Sequence, residues 1–202
     1  MRKARIAVLV SGGGTNLQAL IDAQQSGIIK NGEISIVISN VPSAYALTRA
    51  ENAGIKTAVF TVLKLGSKES LEAEIMRTLD EEKIDVIVLA GFMSILSEEF
   101  TKRYANRIIN VHPSLIPSFC GKGFYGLKVH ESALDYGVKV TGATVHFVNE
   151  IPDGGKIIMQ KAVEIKEGDT PEVLQKRVME EAEWKILPAA TEKVCEELVK
   201  GE

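Results

Sequence analysis

Short apolar runs alternate with helix-like segments through the first half of the chain. Residues 6–10 (Ile-Ala-Val-Leu-Val) form a continuous apolar run of strand length, whereas Leu71, Ile75 and Leu79 recur at the spacing of one helix face. Near-continuous apolar strands separated by helices are typical of a parallel sheet that helices cover on both faces. The pattern predicts strands at 6–10, 33–39, 56–60, 85–90 and 107–111, and helices at 16–25, 44–53, 70–82 and 98–104.

The pattern changes in the second half of the chain. A glycine-rich segment at 113–125 predicts a long loop, and residues 127–136 then show helical spacing. Two later runs, at 140–148 and 156–163, are joined by a short turn, which favours an antiparallel strand pair.

A last helix is predicted to begin at Pro171, and Pro188 is expected to kink or divide it. The sequence shows no linker, internal repeat or low-complexity tract. The predicted fold is therefore a single α/β domain spanning 1–202. It is Rossmann-like, with a mostly parallel sheet, helices on both faces and an antiparallel C-terminal strand pair.

Composition restricts the class of protein. The chain has 202 residues, of which 45% are hydrophobic and 25% charged, as is typical of a soluble domain of enzyme size. The net charge of −3 and the lack of a basic run argue against a nucleic-acid partner. No apolar run approaches the about 20 residues that a membrane span needs, and the two cysteines do not form a disulfide framework.

The basic start of the chain superficially resembles a signal peptide. Its apolar run, 6–10, is short and ends in Ser-Gly-Gly-Gly, so we interpret it as a first strand. Together with the cysteine usage, this predicts a cytoplasmic protein with no membrane partner.

Residues 11–16 (Ser-Gly-Gly-Gly-Thr-Asn) join the first predicted strand to the first helix. Glycines at such a turn let backbone N–H groups approach an anion, and the helix dipole favours negative charge there. Leu17 stands where a dinucleotide fingerprint has its third glycine, and the Gly-Lys-Ser/Thr of a nucleoside triphosphate loop is missing. The loop predicts a site for a single phosphate, with a tight turn that binds nothing as the alternative.

An amide and an imidazole lie at the end of the fifth predicted strand. Asn110 and His112 are two residues apart, so the period of a strand points both side chains the same way, and Pro113 ends the strand. Ligands of open α/β sheets bind outside the carboxyl ends of the strands. Three further strand ends are expected near the same edge: Ser11, Asn40 and Gly91.

Three further titratable side chains are candidates for chemistry. Asp153 lies on an Asp-Gly-Gly turn between the two C-terminal strands. His130 falls in a predicted helix, where a surface position is the simpler interpretation. His146 falls on a predicted strand, where the sequence is compatible both with a packed, hydrogen-bonded ring and with a catalytic one.

Other chemistries fit the sequence less well. Two histidines and an aspartate form a known metal-ligand set, but nothing in the sequence fixes the required spacing, and we expect no metal. Ser114 follows a proline and lacks the G-x-S-x-G turn of a serine hydrolase. Cys120 would need a neighbouring base and a lowered pKa to act as a nucleophile, and the sequence shows neither.

Four segments, taken in chain order, resemble one enzyme family. They are Ser-Gly-Gly-Gly-Thr-Asn-Leu-Gln at 11–18, Leu-Ala-Gly-Phe-Met at 89–93, Asn-x-His-Pro-Ser-Leu-x-Pro at 110–117 and Asp-Gly-Gly at 153–155. Through nearly its whole length the chain closely resembles the phosphoribosylglycinamide formyltransferases, within the folate-dependent formyltransferase family. The last two segments are shared by the wider family, whereas the glycine loop favours a phosphorylated small substrate over a transfer RNA.

The resemblance implies that a formyl group moves from 10-formyltetrahydrofolate, the co-substrate, to the primary amine of glycinamide ribonucleotide in purine biosynthesis. It implies catalytic roles for Asn110, His112 and Asp153. Asn110 and a protonated His112 would donate hydrogen bonds to the oxyanion of the tetrahedral intermediate. Asp153 would move protons and also raise the pKa of His112. The oligomeric state is left open, with a homodimer as one option.

The resemblance also implies a ribonucleotide-binding half at 1–105 and a catalytic and folate-binding half at 106–202. The backbone of Gly14, Thr15 and Asn16 would hold the substrate phosphate, while Glu183 would contact the glycinamide end. The pterin would enter an apolar slot whose edge is read by backbone groups, and the folate site would comprise Met93, Ile95, Leu96, Ile108 and Asn110.

The chain departs from the family pattern in two places. Residues 118–126 replace a shorter segment, and we expect them to form a mobile loop near the folate tail. The C-terminal helix carries one extra residue before Glu183.

Three alternatives to this function remain. A formyltetrahydrofolate hydrolase would let water replace the amine, and it usually carries an N-terminal regulatory domain, which is not expected in a chain that begins with its first strand. A transfer-RNA formyltransferase would need a C-terminal RNA-binding domain, which is likewise not expected. A non-catalytic phosphate-binding module would use the glycine loop and nothing else.

Overall fold

Seven strands form one sheet in the computed structural model, which describes residues 2–201. In chain order they are β1 (Ala4–Val10), β2 (Gly32–Ser39), β3 (Lys56–Val59), β4 (Val86–Leu89), β5 (Ile108–His112), β6 (Val140–Phe147) and β7 (Ile157–Glu164). They lie across the sheet in the order β3-β2-β1-β4-β5-β6-β7. Strands β1 to β5 are parallel, whereas β6 is antiparallel to both β5 and β7. The predicted mostly parallel sheet with an antiparallel C-terminal pair is confirmed.

Helices connect the strands. They are α1 (Thr15–Gln25), α2 (Tyr45–Asn52), α3 (Val62–Leu65), α4 (Lys68–Glu81), α5 (Glu98–Arg103), α6 (Leu127–Tyr136), α7 (Pro171–Val178) and α8 (Trp184–Lys200). The predicted helices are confirmed within a residue or two at each end, but α3 was not predicted, because it buries no side chain and so leaves no apolar period in the sequence. Within residues 2–201, no helix is long and apolar enough to cross a membrane.

The two sides of β1 pack into different parts of the core. Ile6 and Val8 join a cluster with the buried faces of α1 and α8, whereas Ala7 and Leu9 join a second cluster with α4 and α5. A strand that is covered on both faces cannot carry alternating polar residues. This double burial explains why the first strand is one continuous apolar run.

The C-terminal helical run is divided, but not at Pro188 as the sequence had suggested. A π-helical turn (Met179–Glu183) separates α7 from α8, and Pro188 lies buried inside α8. A proline ring clashes with the carbonyl group four residues before it. Here that carbonyl belongs to Trp184, the residue at which π spacing gives way to α spacing. The helix is therefore already irregular at the position that the proline disturbs.

Candidate functional site

Hydrogen bonds connect the strand ends at the carboxyl edge of the parallel strands. The Ser11 hydroxyl, just after β1, donates to Asn40 Oδ1 at 2.6 Å and accepts from the Met93 N–H at 2.9 Å. The Ser11 N–H donates to the Gly91 carbonyl at 3.1 Å. The predicted meeting of these strand ends is confirmed, and β5 brings Asn110 and His112 to the same edge.

His112 is buried at the end of β5 and contacts protein groups through both ring nitrogens. Its Nε2–H donates to the Phe119 carbonyl at 2.9 Å, and Nδ1 lies 3.5 Å from Asp153 Oδ2. A carbonyl can only accept, so this contact places a proton on Nε2. Burial lowers the pKa of His112, and the Asp153 carboxylate offsets only part of that shift. The expectation that Asp153 raises the pKa is right for its own contribution and wrong for the net shift.

Asp153 lies between two imidazoles on the turn that joins β6 to β7. Oδ2 accepts from the Gly121 N–H at 2.8 Å, and Oδ1 lies 3.6 Å from His146 Nε2. Burial pushes the pKa of Asp153 upward, but the net pKa is lowered, with His112 and the Gly121 N–H among the groups that lower it. The turn requires a glycine after it, because a Cβ at Gly155 would lie 1.6 Å from the Phe147 carbonyl oxygen.

His146, whose role the sequence left open, is a hydrogen-bonded ring beside Asn110. The two residues are cross-strand partners in the β5–β6 pair, and Asn110 Nδ2 lies 3.3 Å from His146 Nε2. The polar cluster therefore consists of Asn110, His112, His146 and Asp153. In residues 2–201, no group of three or more His, Cys, Asp or Glu side chains is arranged to hold a metal ion. The cluster has the composition of an acid–base site with an amide donor.

The segment at 118–126 lies against this cluster. It forms no helix or strand, as predicted, and its backbone contacts two of the cluster's side chains: the Phe119 carbonyl accepts from His112, and the Gly121 N–H donates to Asp153. Burial raises the pKa of the Cys120 thiol, and the Asp153 charge raises it further. A thiol with a raised pKa is a poor nucleophile at neutral pH. Proximity of this loop to a folate tail stays a prediction.

His130 is fully buried in α6, so the expectation of a surface position is wrong. It lies three residues before Ala133, on the face of the helix that packs inward. Burial lowers its pKa to about 4, and the charge of His112 contributes to the shift. Neither ring nitrogen finds a hydrogen-bond partner among the described residues.

The glycine loop ends at Gly14, which starts α1 with a left-handed backbone (φ 72°). A Cβ at Gly14 would lie 2.6 Å from Ala46 Cβ, so α2 packs directly on the loop. In the part of the chain that the structure describes, no side chain caps α1 and its first turn holds no acid. Uncapped N–H groups at a helix start are a ready anion site, so the loop has the properties predicted for phosphate binding at Gly14, Thr15 and Asn16.

Sequence reasoning missed Arg49 of α2 as a cation beside the glycine loop. Its Nε donates to the Gly13 carbonyl at 2.8 Å, and Nη1 donates to Gln18 at 3.0 Å. Nothing in the local sequence around Arg49 signals this contact, because it depends on how α2 packs against the loop. A guanidinium at this position adds positive potential for an anionic ligand.

Glu183 is a buried carboxylate beside the same loop. Asn16 Nδ2 donates to Glu183 Oε2 at 2.7 Å, and burial raises the pKa of Glu183 despite this bond. Asn16 Oδ1 is buried without a partner within residues 2–201. The π-helical turn, which contains Glu183, fits one extra residue into the helix. The structure thus brings Glu183 and Asn16 together, as a shared substrate site would require.

The four apolar residues predicted for the pterin lie in two settings. Ile108 and Leu96 are buried in one core cluster, whereas Met93 and Ile95 are 61% and 60% exposed. An exposed pair of large apolar side chains beside the strand edge is compatible with a ligand-binding surface. Their role as a pterin slot stays a prediction.

A groove of about 580 Å³ lies beside the glycine loop, between α1, α2 and α8. It is bordered by Thr15, Arg49 and Trp184 and does not include Asn110, His112 or Asp153. It is therefore a separate feature from the polar cluster.

These features define an α/β protein with an amide–imidazole–carboxylate cluster and a glycine loop at an uncapped helix start. The sequence family described as Formyl transferase matches residues 4–191. The chain belongs to this formyl transferase family.

Known proteins with high similarity span nearly all of the chain. It is 46% identical over 194 residues to the human trifunctional purine biosynthetic protein adenosine-3, covering 96% of this chain and 18% of that protein. It is 44% identical to phosphoribosylglycinamide formyltransferase of Haemophilus influenzae, covering 91% of this chain and 84% of that enzyme. The crystal structure of glycinamide ribonucleotide transformylase 1 from Symbiobacterium toebii matches with a TM-score of 0.89 at 40% identity, covering 96% of this chain and 88% of that one. The chain thus spans under a fifth of the trifunctional relative and most of the bacterial proteins.

Proposed function

We propose that this protein transfers the formyl group of 10-formyltetrahydrofolate to the primary amine of glycinamide ribonucleotide, giving formylglycinamide ribonucleotide and tetrahydrofolate in de novo purine biosynthesis. The observation that carries the proposal is the polar cluster in which Asp153 contacts His112 beside the Asn110 amide. The names of the bacterial relatives, phosphoribosylglycinamide formyltransferase, support the same reaction.

The first part of the reaction needs a hydrogen-bond donor. Attack by the substrate amine on the formyl carbon forms a C–N bond and leaves negative charge on the formyl oxygen. Asn110 donates to that oxygen through its Nδ2–H, at a strand edge where the neighbouring rings of His112 and His146 are buried. Removing one such donor typically lowers turnover by about a hundred- to a thousandfold.

The second part needs a proton carrier. The attacking amine loses a proton, and the folate nitrogen gains one as its bond to the formyl carbon breaks. Because burial lowers the pKa of His112, its Nδ1 is unprotonated at neutral pH, with Nε2–H held by Phe119. The His112–Asp153 pair takes up the amine proton at Nδ1, where the new imidazolium is stabilised by the carboxylate and donates to the oxyanion. The pair then releases the proton to the folate nitrogen.

Binding of the ribonucleotide is assigned to the glycine loop and its neighbours. The phosphate binds the backbone N–H groups of Gly14, Thr15 and Asn16, and Glu183 contacts the glycinamide end. Asn16 and Glu183 are hydrogen-bonded to each other. This proposed site therefore takes residues from both of the predicted halves, 1–105 and 106–202. Folate binding at Met93, Ile95, Leu96, Ile108 and Asn110 belongs to the same proposal.

The proposal includes a cytoplasmic location. Both cysteines, Cys120 and Cys195, are free thiols, and Cys195 is buried, which is the usual state in a reducing compartment. The partners are the two small molecules, with no nucleic acid, and the choice between monomer and homodimer stays open.

The deciding experiment is a spectrophotometric assay of folate product from 10-formyltetrahydrofolate, with and without glycinamide ribonucleotide. Product that appears only with the ribonucleotide supports the transferase. Equal turnover without it would replace the proposal with a hydrolase. No turnover in either condition, together with ribonucleotide binding in calorimetry, would leave a phosphate-binding module.

A matched pair of variants tests whether the cluster performs the chemistry. Asn110→Ala is expected to lower kcat by about a hundredfold or more, while ribonucleotide binding at the glycine loop persists. Asn52→Ala, at an exposed position on α2, is the control and should retain wild-type kcat. Equal activity of the two variants would contradict the assignment of the site.

A further inference from the structure

We propose that His146 is a positioning residue that fixes the orientation of the Asn110 side-chain amide, an inference that rests on the proposed formyl transfer. His146 is 1% exposed and lies beside Asn110 in the β5–β6 pair. Its Nε2 lies 3.3 Å from Asn110 Nδ2. A ring that is buried and in register with a proposed oxyanion donor can control that donor without contacting the substrate.

The tautomer of His146 is set by its own backbone. Nδ1 lies 2.8 Å from the Phe147 carbonyl oxygen, and a carbonyl accepts but never donates. Nδ1 therefore carries the proton of the neutral ring, and Nε2 is left with a lone pair. That lone pair accepts a hydrogen bond from an N–H and repels an oxygen.

The tautomer in turn selects one of two orientations of the Asn110 amide. An amide can rotate so that its nitrogen and oxygen exchange places at little steric cost. Because His146 Nε2 accepts, the amide nitrogen faces the ring. The same Nε2 lies 3.6 Å from Asp153 Oδ1, beyond direct hydrogen-bond distance, so its lone pair stays available to the amide.

A rotated amide would place its oxygen against the Nε2 lone pair, which repels it. It would also remove the N–H donor from the side on which the oxyanion develops. Three groups thus act in sequence: the Phe147 carbonyl orients the His146 ring proton, the ring orients the amide, and the amide donates to the oxyanion. Such preorganised donors lose no energy to reorientation during the reaction.

The contact itself is tested by NMR, independently of catalysis. Imidazole nitrogen shifts of the wild-type protein at neutral pH should show a protonated Nδ1 and a bare Nε2 at His146. The Asn110 side-chain NH2 signals should shift in His146→Asn and return towards wild type in His146→Gln. The opposite tautomer, or Asn110 NH2 signals that stay unchanged in His146→Asn, would overturn the inference.

Kinetic measurements test whether the His146–Asn110 contact affects turnover. Asn mimics the Nδ1 position of histidine and Gln the Nε2 position, so only Gln keeps an acceptor for Asn110. We expect His146→Asn to lower kcat about tenfold or more, a part of the contribution of one oxyanion donor, with KM for both substrates nearly unchanged. His146→Gln should recover most of the turnover.

A double-mutant cycle separates positioning from a general structural role. In an Asn110→Ala background, His146→Asn should cause no further loss of kcat, because the group through which it acts is gone. Val145→Ala, which removes buried volume from the neighbouring position of β6, is the control and should lower the melting temperature without lowering kcat. Multiplicative losses from His146→Asn and Asn110→Ala would overturn the inference.

A failure of the proposed function would be distinguishable. If the wild-type protein transfers no formyl group, the function is wrong, while the tautomer and the Asn110 signals still decide the positioning contact. If the wild-type protein is active and His146→Asn matches it in kcat, the function stands and the positioning role is wrong.

Discussion

Asp153 and burial have opposite effects on the pKa of His112. The Asp153 carboxylate, 3.5 Å from His112 Nδ1, raises this pKa, whereas burial of the ring lowers it by more. A ring that is neutral at rest accepts a proton readily, and the adjacent carboxylate stabilises the charged form once it exists. Burial and pairing together therefore suit His112 to transient protonation rather than to a permanent positive charge.

Replacing the carboxylate by an amide tests this balance. Asp153→Asn removes the contribution that raises the pKa of His112 and leaves the burial that lowers it. We expect the titration midpoint of His112, followed by NMR, to move to lower pH, and kcat to fall by about a hundred- to ten-thousandfold as the proton carrier is lost.

His130 is an internal control in the same spectra. Its pKa of about 4 reflects burial and the charge of His112, with no contribution from Asp153. In Asp153→Asn its midpoint should not follow that of His112 downward, because a His112 that protonates at lower pH puts less charge beside His130. A His112 midpoint that moved upward would contradict the assignment of Asp153 as its charge partner.

Elements, rather than single residues, place the groups that we propose to bind the substrate. The π-helical turn turns Glu183 inward to Asn16, and the packing of α2 on Gly14 shapes the start of α1. The sequence shows that a glycine loop and a glutamate are present, but their contact depends on a local change of helical spacing. A one-residue excess in a helix has no periodic signature of its own, so the π turn could not be predicted.

Gly14 is the point at which this packing is most restrictive. Gly14→Ala would force an alanine into a left-handed backbone, at a cost of about 1–2 kcal/mol, and place its Cβ 2.6 Å from Ala46 Cβ. We expect the free energy of unfolding, measured by chemical denaturation, to fall by at least this amount. The affinity for glycinamide ribonucleotide should fall as well, because the N–H groups of the loop move.

Gly13→Ala is the matched variant. Gly13 has no left-handed backbone, and an added Cβ would meet no described atom within 4 Å. Its free energy of unfolding should stay close to wild type. Equal destabilisation by the two substitutions would show that the α2 contact at Gly14 is unimportant.

At the scale of the whole molecule, the strand pattern determines what is predictable. Continuous apolar runs identified the strands, because burial on both faces leaves only apolar residues there. The strand-end rule then placed Asn110 and His112 correctly at the carboxyl edge. Two features were not predictable, because each depends on tertiary packing. They are the burial of His130 and the contact of Arg49 with the glycine loop.

His130 is buried in the folded protein, and its burial makes the stability of the whole molecule depend on pH. His130 has a pKa of about 4 in the folded protein and about 6.5 in an unfolded chain. Between these values the unfolded chain binds more protons, so stability is fully present above about pH 6.5 and is lost as the pH falls towards 4. The shift corresponds to about 3 kcal/mol, and the lowered pKa of His112 acts in the same direction.

His130→Leu should remove the His130 contribution to acid sensitivity. Because neither ring nitrogen is hydrogen-bonded to a described residue, the substitution breaks no such bond, and we expect little change in the free energy of unfolding at pH 7. At pH 5 the variant should be more stable than wild type, as measured by urea denaturation at both pH values.

His130→Gln separates charge from polarity: it also lacks a titratable ring, so it should show the same reduced pH dependence. If both variants lost stability with falling pH as steeply as wild type, burial of His130 in its neutral form would not be a source of the acid sensitivity.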